Sequence, residues 1–185
     1  MTPYVRVLRL NIWKKTTSKD LAQGLLYALV KFTNHFYADF GAYAETRFSI
    51  KLDEAQLVTF KREIYMINLW IISKVLSSDK KALDEFHKAY LFANAEMAQT
   101  EQGKNDFPKV AEKELRERYK KYYAEWDDSG SKSEILALTM LEYMFNKGQP
   151  DKRLINIDLF VRVNTHVLGM MKAILDFRNR YEIVD

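Results

Sequence analysis

Residues 53–76 read DEAQLVTFKREIYMINLWIISKVL, and this stretch decides the fold. Asp53, with Gln56 three residues later, has the spacing of a capping box, in which each side chain bonds the other residue's backbone N–H. Large apolar residues then recur every three or four positions, which places them on one face of a helix. The predicted inner face is Leu57, Phe60, Ile64, Ile67 and Ile71, widened by Trp70, Val75 and Leu76. The stretch therefore predicts a long helix whose apolar face must be buried.

Five further segments show the same helical spacing and carry their own start and stop signals. The predicted helices cover residues 19–39, 79–100, 108–126, 131–147 and 157–181. Thr17 or Ser18 is the expected cap of the first, and Ser78 is the expected cap of the second. Ser131 with Glu134 has the spacing of a capping box for the fourth. The last segment is the most apolar, which predicts a central helix.

The connections between these segments also carry information. The link after residue 76 is so short that the helices on either side of it should form an antiparallel hairpin. Gly103–Asp106 is predicted as a loop, and Pro108 suits the first turn of the helix that follows. Within that helix, opposite charges four residues apart, such as Glu114 with Arg118, predict ion pairs along its surface.

Two stretches depart from helical spacing. Tyr4–Trp13 is rich in β-branched residues, and Arg47–Leu52 alternates polar and apolar residues, so a minor two-stranded ribbon flanking the first helix is one interpretation. The alternative for the first stretch is a short helix capped by Thr2 and started by Pro3. The predicted fold class is all-α, a single-domain bundle of about six helices spanning residues 1–185, in which residues 1–17 form a basic N-terminal arm or short strand.

Composition excludes several classes of protein. The chain has no Cys, which rules out disulfides and thiolate zinc sites and makes a reducing, cytoplasmic location the expectation. Its longest apolar run is too short for a membrane span. We found no phosphate-binding glycine loop, nucleophile elbow or metalloprotease helix motif, and the sequence predicts no cofactor.

Charge is concentrated at the N-terminus. The chain holds 29 Lys and Arg against 25 Asp and Glu, and the first fifteen residues contain four of the basic residues and no acid. These four are the candidate nucleic-acid contacts: Arg6, Arg9, Lys14 and Lys15. The remainder of the chain is neutral, so a nucleic-acid-coating protein is disfavoured and a solvated arm or edge strand is preferred.

Three histidines are the main candidates for metal chemistry. Asp84 and His87 have the carboxylate-x-x-His spacing that places two ligands on one helix face, but a di-metal bundle needs a second such pair, which is missing. A mononuclear site would gather His35, His87 and His166 from three helices, with Asp84 or Asp39 orienting a ligand. The more ordinary interpretation is three unrelated histidines.

A second catalytic candidate is Arg162, one helical turn before His166. Helical nucleases of the HEPN type place an Arg and a His on one helix with four to six residues between them, whereas this chain has three. The chain is therefore not assigned to that family. An ion pair of Arg162 with Asp158 is the simpler interpretation.

The sequence as a whole favours a non-catalytic interaction or regulatory module that self-associates, most simply as a dimer, with a protein partner as a further option. The non-catalytic interpretation rests on the absence of catalytic motifs. Self-association is suggested by large apolar residues outside the main helical stripes, which a central helix packed on all sides would instead bury internally: Trp70, Tyr123, Leu168 and Leu175. The first alternative is a metal-dependent or nuclease-like helical enzyme using His35, His87, His166, Asp84 and Arg162. The second is a nucleic-acid binder using the basic N-terminal segment.

Overall fold

The structure is a computed structural model, and it describes residues 14–38, 40, 45–46, 53–96, 101–128, 130–145 and 157–184. Its elements are β1 (Lys14–Thr16), α1 (Ser18–Ala38), α2 (Glu54–Val75), α3 (Lys80–Glu96), α4 (Glu101–Asp128), α5 (Ser133–Phe145), α6 (Ile157–Arg178) and β2 (Tyr181–Ile183). The predicted all-α bundle of about six helices with a minor ribbon is confirmed.

Local capping signals begin three of the helices. Thr17 Oγ1 accepts a hydrogen bond from the Asp20 backbone N–H at 3.1 Å, so Thr17 is the cap of α1. The predicted capping box of Asp53 and Gln56 is present in full at the start of α2. At α3 the cap is Asp79, whose side chain accepts from the Ala82 N–H at 3.1 Å, one residue later than the predicted Ser78. The carboxylate of Asp79 supplies a charged acceptor where Ser78 would supply a hydroxyl.

The start of α4 differs from the prediction. Gly103–Asp106 was expected to form a loop, but α4 begins at Glu101 and includes it. Pro108 therefore lies inside the helix, where its missing N–H removes one backbone hydrogen bond. Intrinsic propensity is a weak determinant in a helix of 28 residues, whose remaining backbone bonds and packing outweigh two unfavourable positions.

A tight turn separates α4 from α5. The Ser131 N–H donates to the Trp126 carbonyl and the Gly130 N–H donates to the Asp127 carbonyl, which is the bonding pattern of a Schellman motif. Gly130 and Ser131 both have positive φ, at 67° and 69°. Ser131 therefore belongs to the turn that ends α4, and the predicted capping box of Ser131 with Glu134 does not form. Helix α5 begins at Ser133 instead.

Helix α2 occupies the centre of the bundle. Every residue from Met66 to Ser73 is buried, and α1, α4, α5 and α6 all pack against this helix. The predicted central position of the last helix is wrong, because α6 packs on α2 and α5 with one face and leaves the opposite face exposed. A helix segment with no exposed face must be covered by neighbours on every side. The second half of α2 is covered in this way, and α6 is not.

Side-chain contacts between α2 and α3 run in the antiparallel sense that the predicted hairpin requires. Ser73 Oγ lies 3.0 Å from His87 Nε2 near the connection. Further from it, the rings of Tyr65 and Tyr90 have their centres 6.0 Å apart. The backbones of the two helices do not pack closely, and α3 packs mainly on α1 and α4.

The minor ribbon joins the two ends of the described chain. Strand β1 pairs with β2 in parallel, with Lys14 opposite Tyr181 and Thr16 opposite Ile183. The predicted helix over 157–181 therefore ends at Arg178, whose side chain donates to the Tyr181 carbonyl at 3.2 Å. Tyr4–Trp13 and Arg47–Leu52, the strands predicted from the sequence, lie outside the described residues.

None of the helices that the structure describes is both long enough and apolar enough to cross a bilayer.

Phe60 is the first residue whose contribution to the core can be tested. Its ring stacks on Phe40 with the ring centres 3.7 Å apart, and it is buried. We expect Phe60→Ala to lower the unfolding free energy by about 3–5 kcal/mol, because it leaves a cavity among packed rings. Val58→Ala, on an exposed position of the same helix, is the matched control and should change it by less than about 0.5 kcal/mol. Urea titration measures both, and equal losses would contradict the assignment of the core face.

Candidate functional site

His166 lies in the interior of the bundle within a chain of three polar groups. Asn68 Nδ2 donates to Thr33 Oγ1 at 3.1 Å, which turns the Asn68 carbonyl oxygen toward His166. The distance from His166 Nε2 to Asn68 Oδ1 is 2.9 Å. Because Asn68 Oδ1 can only accept, His166 Nε2 carries the proton. The sequence placed His166 on the last helix but gave no sign that Asn68 would bind it.

The surroundings of His166 keep the ring neutral. Burial, together with the charges of Arg162 and His35, lowers its pKa from the ordinary value of 6.5 to about 3. The Phe36 ring centre lies 4.2 Å from the His166 ring centre, and the Arg162 guanidinium carbon lies 5.4 Å from the Phe36 ring centre. His166 is closed off from solvent, so it cannot present its ring to a nucleic-acid substrate. The arrangement gives the nuclease-like alternative no support.

His87 belongs to a separate polar cluster between α2, α3 and α4. Tyr119 Oη lies 2.8 Å from Ser73 Oγ, and His87 Nε2 lies 3.0 Å from Ser73 Oγ and 3.3 Å from Tyr119 Oη. The Ser73 hydroxyl donates to the Leu69 carbonyl at 2.9 Å, so it accepts from the other two groups. Its proton is directed at a backbone carbonyl and away from the imidazole, which is not the arrangement of an activated nucleophile.

Asp84 and His87 share one face of α3, as their spacing predicts. Burial lowers the pKa of His87, and the charge of Asp84 opposes that shift. His35 is exposed on α1, and Asp39 lies outside the described residues. Across the part of the chain that the structure describes, no three His, Asp or Glu side chains are grouped closely enough to hold a metal ion.

A buried ion pair that the sequence analysis missed links α2 to α4. Arg118 Nη2 lies 2.6 Å from Glu63 Oε1, and the Arg118 guanidinium carbon lies 3.4 Å from the centre of the Tyr143 ring on α5. The predicted pair of Glu114 with Arg118 is therefore absent, and Glu114 pairs with Arg62 of α2. Glu63 follows Phe60 by three residues, and this spacing places it on the inner face of α2. That position could have predicted a buried carboxyl.

Glu63 has an unusual environment for a carboxyl group. Its Oε2 atom and the Tyr122 hydroxyl are buried with no hydrogen-bond partner among the described residues. Burial raises the pKa of Glu63 from its ordinary value of 4.5 to about 7, against the opposing charges of Arg118 and Arg62. At neutral pH this carboxyl is therefore divided between its protonated and ionised forms.

The ion pair lies beneath an open depression of about 480 Å³. Its lining carries both signs of charge: Arg62, Lys113, Glu114, Glu117 and Arg118, with Val110 and Tyr143. Glu63 is covered by Arg118 and does not line it. A lining of mixed charge favours no class of ligand. Through Arg118 and Tyr143, the buried carboxyl of Glu63 instead helps to hold α2, α4 and α5 together.

The outer face of α6 carries a line of exposed aliphatic side chains. Val161, Leu168 and Leu175 are 51%, 51% and 44% exposed, and Ile157 at the start of the helix is 76% exposed. The first three are spaced seven residues apart, which is 20° short of two full helical turns, so they form a nearly straight line. Their line lies opposite the residues that α6 buries against the bundle: Leu159, Val163, His166, Val167, Met170, Ala173, Ile174 and Phe177.

A groove runs beside this line over the second half of α6. Its volume is about 590 Å³, and its apolar lining residues are Trp126, Leu168, Met171 and Leu175. Polar residues from the α4–α5 turn and from α6 form its rim, among them Lys132 and Lys172. An apolar floor with a charged rim is typical of a surface that binds another protein.

Two of the four residues that suggested a surplus apolar surface are used inside the bundle. Trp70 is fully buried, with its ring centre 5.5 Å from those of Tyr123 and Trp126. Tyr123 is half-buried, and the Lys74 ammonium lies 5.0 Å from its ring centre. The assignment of Trp70 to an outer surface is wrong, because α4 covers that side of α2. Leu168 and Leu175 remain exposed.

The candidate nucleic-acid residues are only partly described. Lys14 and Lys15 lie in strand β1, where Lys15 is opposite Glu182 of β2. Arg6 and Arg9 lie outside the described residues. Both lysines thus belong to a short strand, which is one of the two forms predicted for residues 1–17.

Comparison of the chain with protein-family models, with curated proteins and with solved structures found no match. The geometry of these clusters and surfaces is therefore the basis for a functional proposal.

We expect His166 to make the protein less stable in mild acid. Its folded pKa of about 3 lies below the ordinary value of 6.5, so the unfolded chain binds more protons between these values, and stability falls as pH falls below 6.5. From pH 7 to pH 5 the wild type should lose roughly 2 kcal/mol relative to His166→Gln, which keeps an N–H donor but does not titrate. Urea titrations at both pH values measure the difference, and a pH-independent difference would contradict burial of the neutral ring.

Glu63 should have the opposite effect. Its raised pKa favours the protonated carboxyl in the folded state. Its contribution to the free energy of unfolding is therefore fully present below pH 4.5 and is lost as pH rises through about 7. Between pH 5 and pH 8 the wild type should lose roughly 2–3 kcal/mol relative to Glu63→Gln. Thermal or urea unfolding of both proteins across this range checks the sign; a wild type that gains stability over the variant would show that Arg118 dominates.

Proposed function

We propose that the protein is a non-catalytic interaction module that self-associates through the outer face of α6. The observation that carries the proposal is the line of Val161, Leu168 and Leu175, which are half-exposed on the side of the helix opposite the core. Single exposed aliphatic residues are common on monomers, but a continuous line along one helix is typical of a helix that packs against a partner on that side.

The energetics support such a contact. Each buried square ångström of apolar surface contributes about 25 cal/mol, so covering several half-exposed aliphatic side chains on both partners supplies a favourable term of several kcal/mol. Part of that term is offset by the loss of translational and rotational freedom on association. The affinity is the difference between these two opposing terms, so we expect association that depends on protein concentration.

Charge does not oppose the approach of a second copy. Outside its first fifteen residues the chain has equal numbers of acidic and basic side chains. Molecules with a near-neutral body repel each other weakly, so short-range apolar contact decides whether they associate.

The catalytic and nucleic-acid alternatives have less support. His87 and His166 bind neutral side chains of the bundle, and His35 is on its surface. Of the basic N-terminal residues that the structure describes, Lys15 is opposite an acidic residue. A catalytic site would need the histidines to converge on an open surface, and a polynucleotide site would need the basic residues to do so.

Leu168→Glu tests the proposal. Wild type at micromolar concentration should show a mass by light scattering that rises above 21.9 kDa toward twice that value. Leu168→Glu should keep the mass of one chain, because association would bury an unpaired carboxylate. Val58→Glu, which changes a similarly exposed aliphatic residue (61% exposed) on α2, should associate like wild type.

Two outcomes would contradict the proposal. One is a wild-type mass of one chain that does not rise with concentration. The other is an equal loss of association in the Val58 and Leu168 variants, since the contact surface would then not be specific to α6.

A further inference from the structure

One edge of the aliphatic line on α6 carries polar residues at the same seven-residue spacing. Asp158, Thr165 and Lys172 are all exposed and follow the line along its length. An acid thus lies near the start of the helix, a base lies near its end, and a small neutral residue lies halfway between them. This order is self-complementary when the helix is reversed.

We propose that the partner on this face is the α6 helix of a second copy, running antiparallel about a twofold axis close to Thr165. The inference rests on the proposed self-association and assigns its geometry. Asp158 faces the partner's Lys172, and the symmetry repeats the pair at the other end of the contact. The two Thr165 side chains lie on either side of the axis.

The charge pattern distinguishes this arrangement from a parallel one. In an antiparallel helix pair the same edge of each helix is in contact, so residues equally distant from residue 165 meet. In a parallel pair this edge meets the opposite edge of the other helix. That edge carries Phe160, Val167 and Ile174, of which the last two are buried in the bundle. In a parallel pair, Asp158 and Lys172 therefore face an edge of the other helix that carries only apolar residues.

The apolar groove fits the same arrangement. It lies over the second half of α6, between Leu168 and Leu175, with Trp126 contributing to its lining. Reversal of the partner helix brings its first half over this groove. The partner's Ile157 and the partner's Val161 then occupy it, and Ile157 is the most exposed large aliphatic residue among those described. The exposed Ile157 side chain and the apolar groove beside α6 are thereby covered together.

Site-directed cross-linking tests the direction of the helices. The chain contains no Cys, so each introduced thiol is unique. With a short bifunctional maleimide, Thr165→Cys should form covalent dimers on its own. Asp158→Cys and Lys172→Cys should each fail alone. In an antiparallel pair the two copies of either residue are offset by 14 residues, which is about 21 Å along the helices. An equal mixture of these two variants should cross-link efficiently.

Exposed Glu54→Cys on α2 gives the background from random collision. Self-cross-linking of Asp158→Cys and Lys172→Cys above that background would mean parallel helices, which overturns the inference and leaves self-association intact. Covalent dimers from none of the α6 variants, despite a dimeric mass by light scattering, would also overturn it. A monomeric mass for wild type would overturn the proposed function itself.

Charge reversal provides an independent readout. Lys172→Glu places like charges opposite each other twice, so the dissociation constant should rise about tenfold or more. Adding Asp158→Lys to the same chain restores opposite charges at both ends and should return the constant to within about threefold of wild type. Both positions are exposed, and circular dichroism checks that each variant is folded. A double variant as weak as Lys172→Glu alone would contradict the assigned pairing.

Discussion

The complete burial of the second half of α2 is the constraint on which the bundle depends. From Met66 to Ser73 no position of this helix reaches solvent, so helices must cover it on every side. Three polar residues of α2 are also buried, Asn68 and Ser73 within this stretch and Glu63 just before it. Buried polar groups are costly unless they are hydrogen-bonded, so the helices around α2 must supply partners as well as apolar surface.

Each of these polar residues binds a different neighbour. Glu63 binds Arg118 of α4, Asn68 binds His166 of α6, and Ser73 contacts both His87 of α3 and Tyr119 of α4. Displacing a neighbour by one residue would leave a buried polar atom unpaired, at a cost of about 1–3 kcal/mol. Apolar packing alone tolerates several alignments of helices, so these contacts favour one rotation and one height for each helix.

The parts of the fold that were predictable from sequence are those that local chemistry determines. The Asp53 capping box, the Thr17 cap and the hairpin after residue 76 each involve residues close together in the chain. Trp70 shows the limit of such reasoning. Its spacing shows that the apolar face of α2 is wide, but whether another helix or another molecule covers that face depends on how all the helices are arranged.

The same limit applies to the candidate sites. The three histidines were placed on the correct helices, yet nothing near them in the sequence shows that His166 meets Asn68 or that His87 meets Ser73. Glu63 was overlooked because a charged residue in a helix is usually solvated. Both cases depend on contacts between residues far apart in the chain, which local sequence patterns do not record.

The pairing of β1 with β2 also has a consequence for biosynthesis. Thr16 can find its position opposite Ile183 only after residues 181–183 have left the ribosome, although α1 and its neighbours are made much earlier. Loop closure between such distant segments is entropically costly before the intervening bundle is compact. We therefore expect the pairing of β1 with β2 to form late, after the helices between the two strands have become compact.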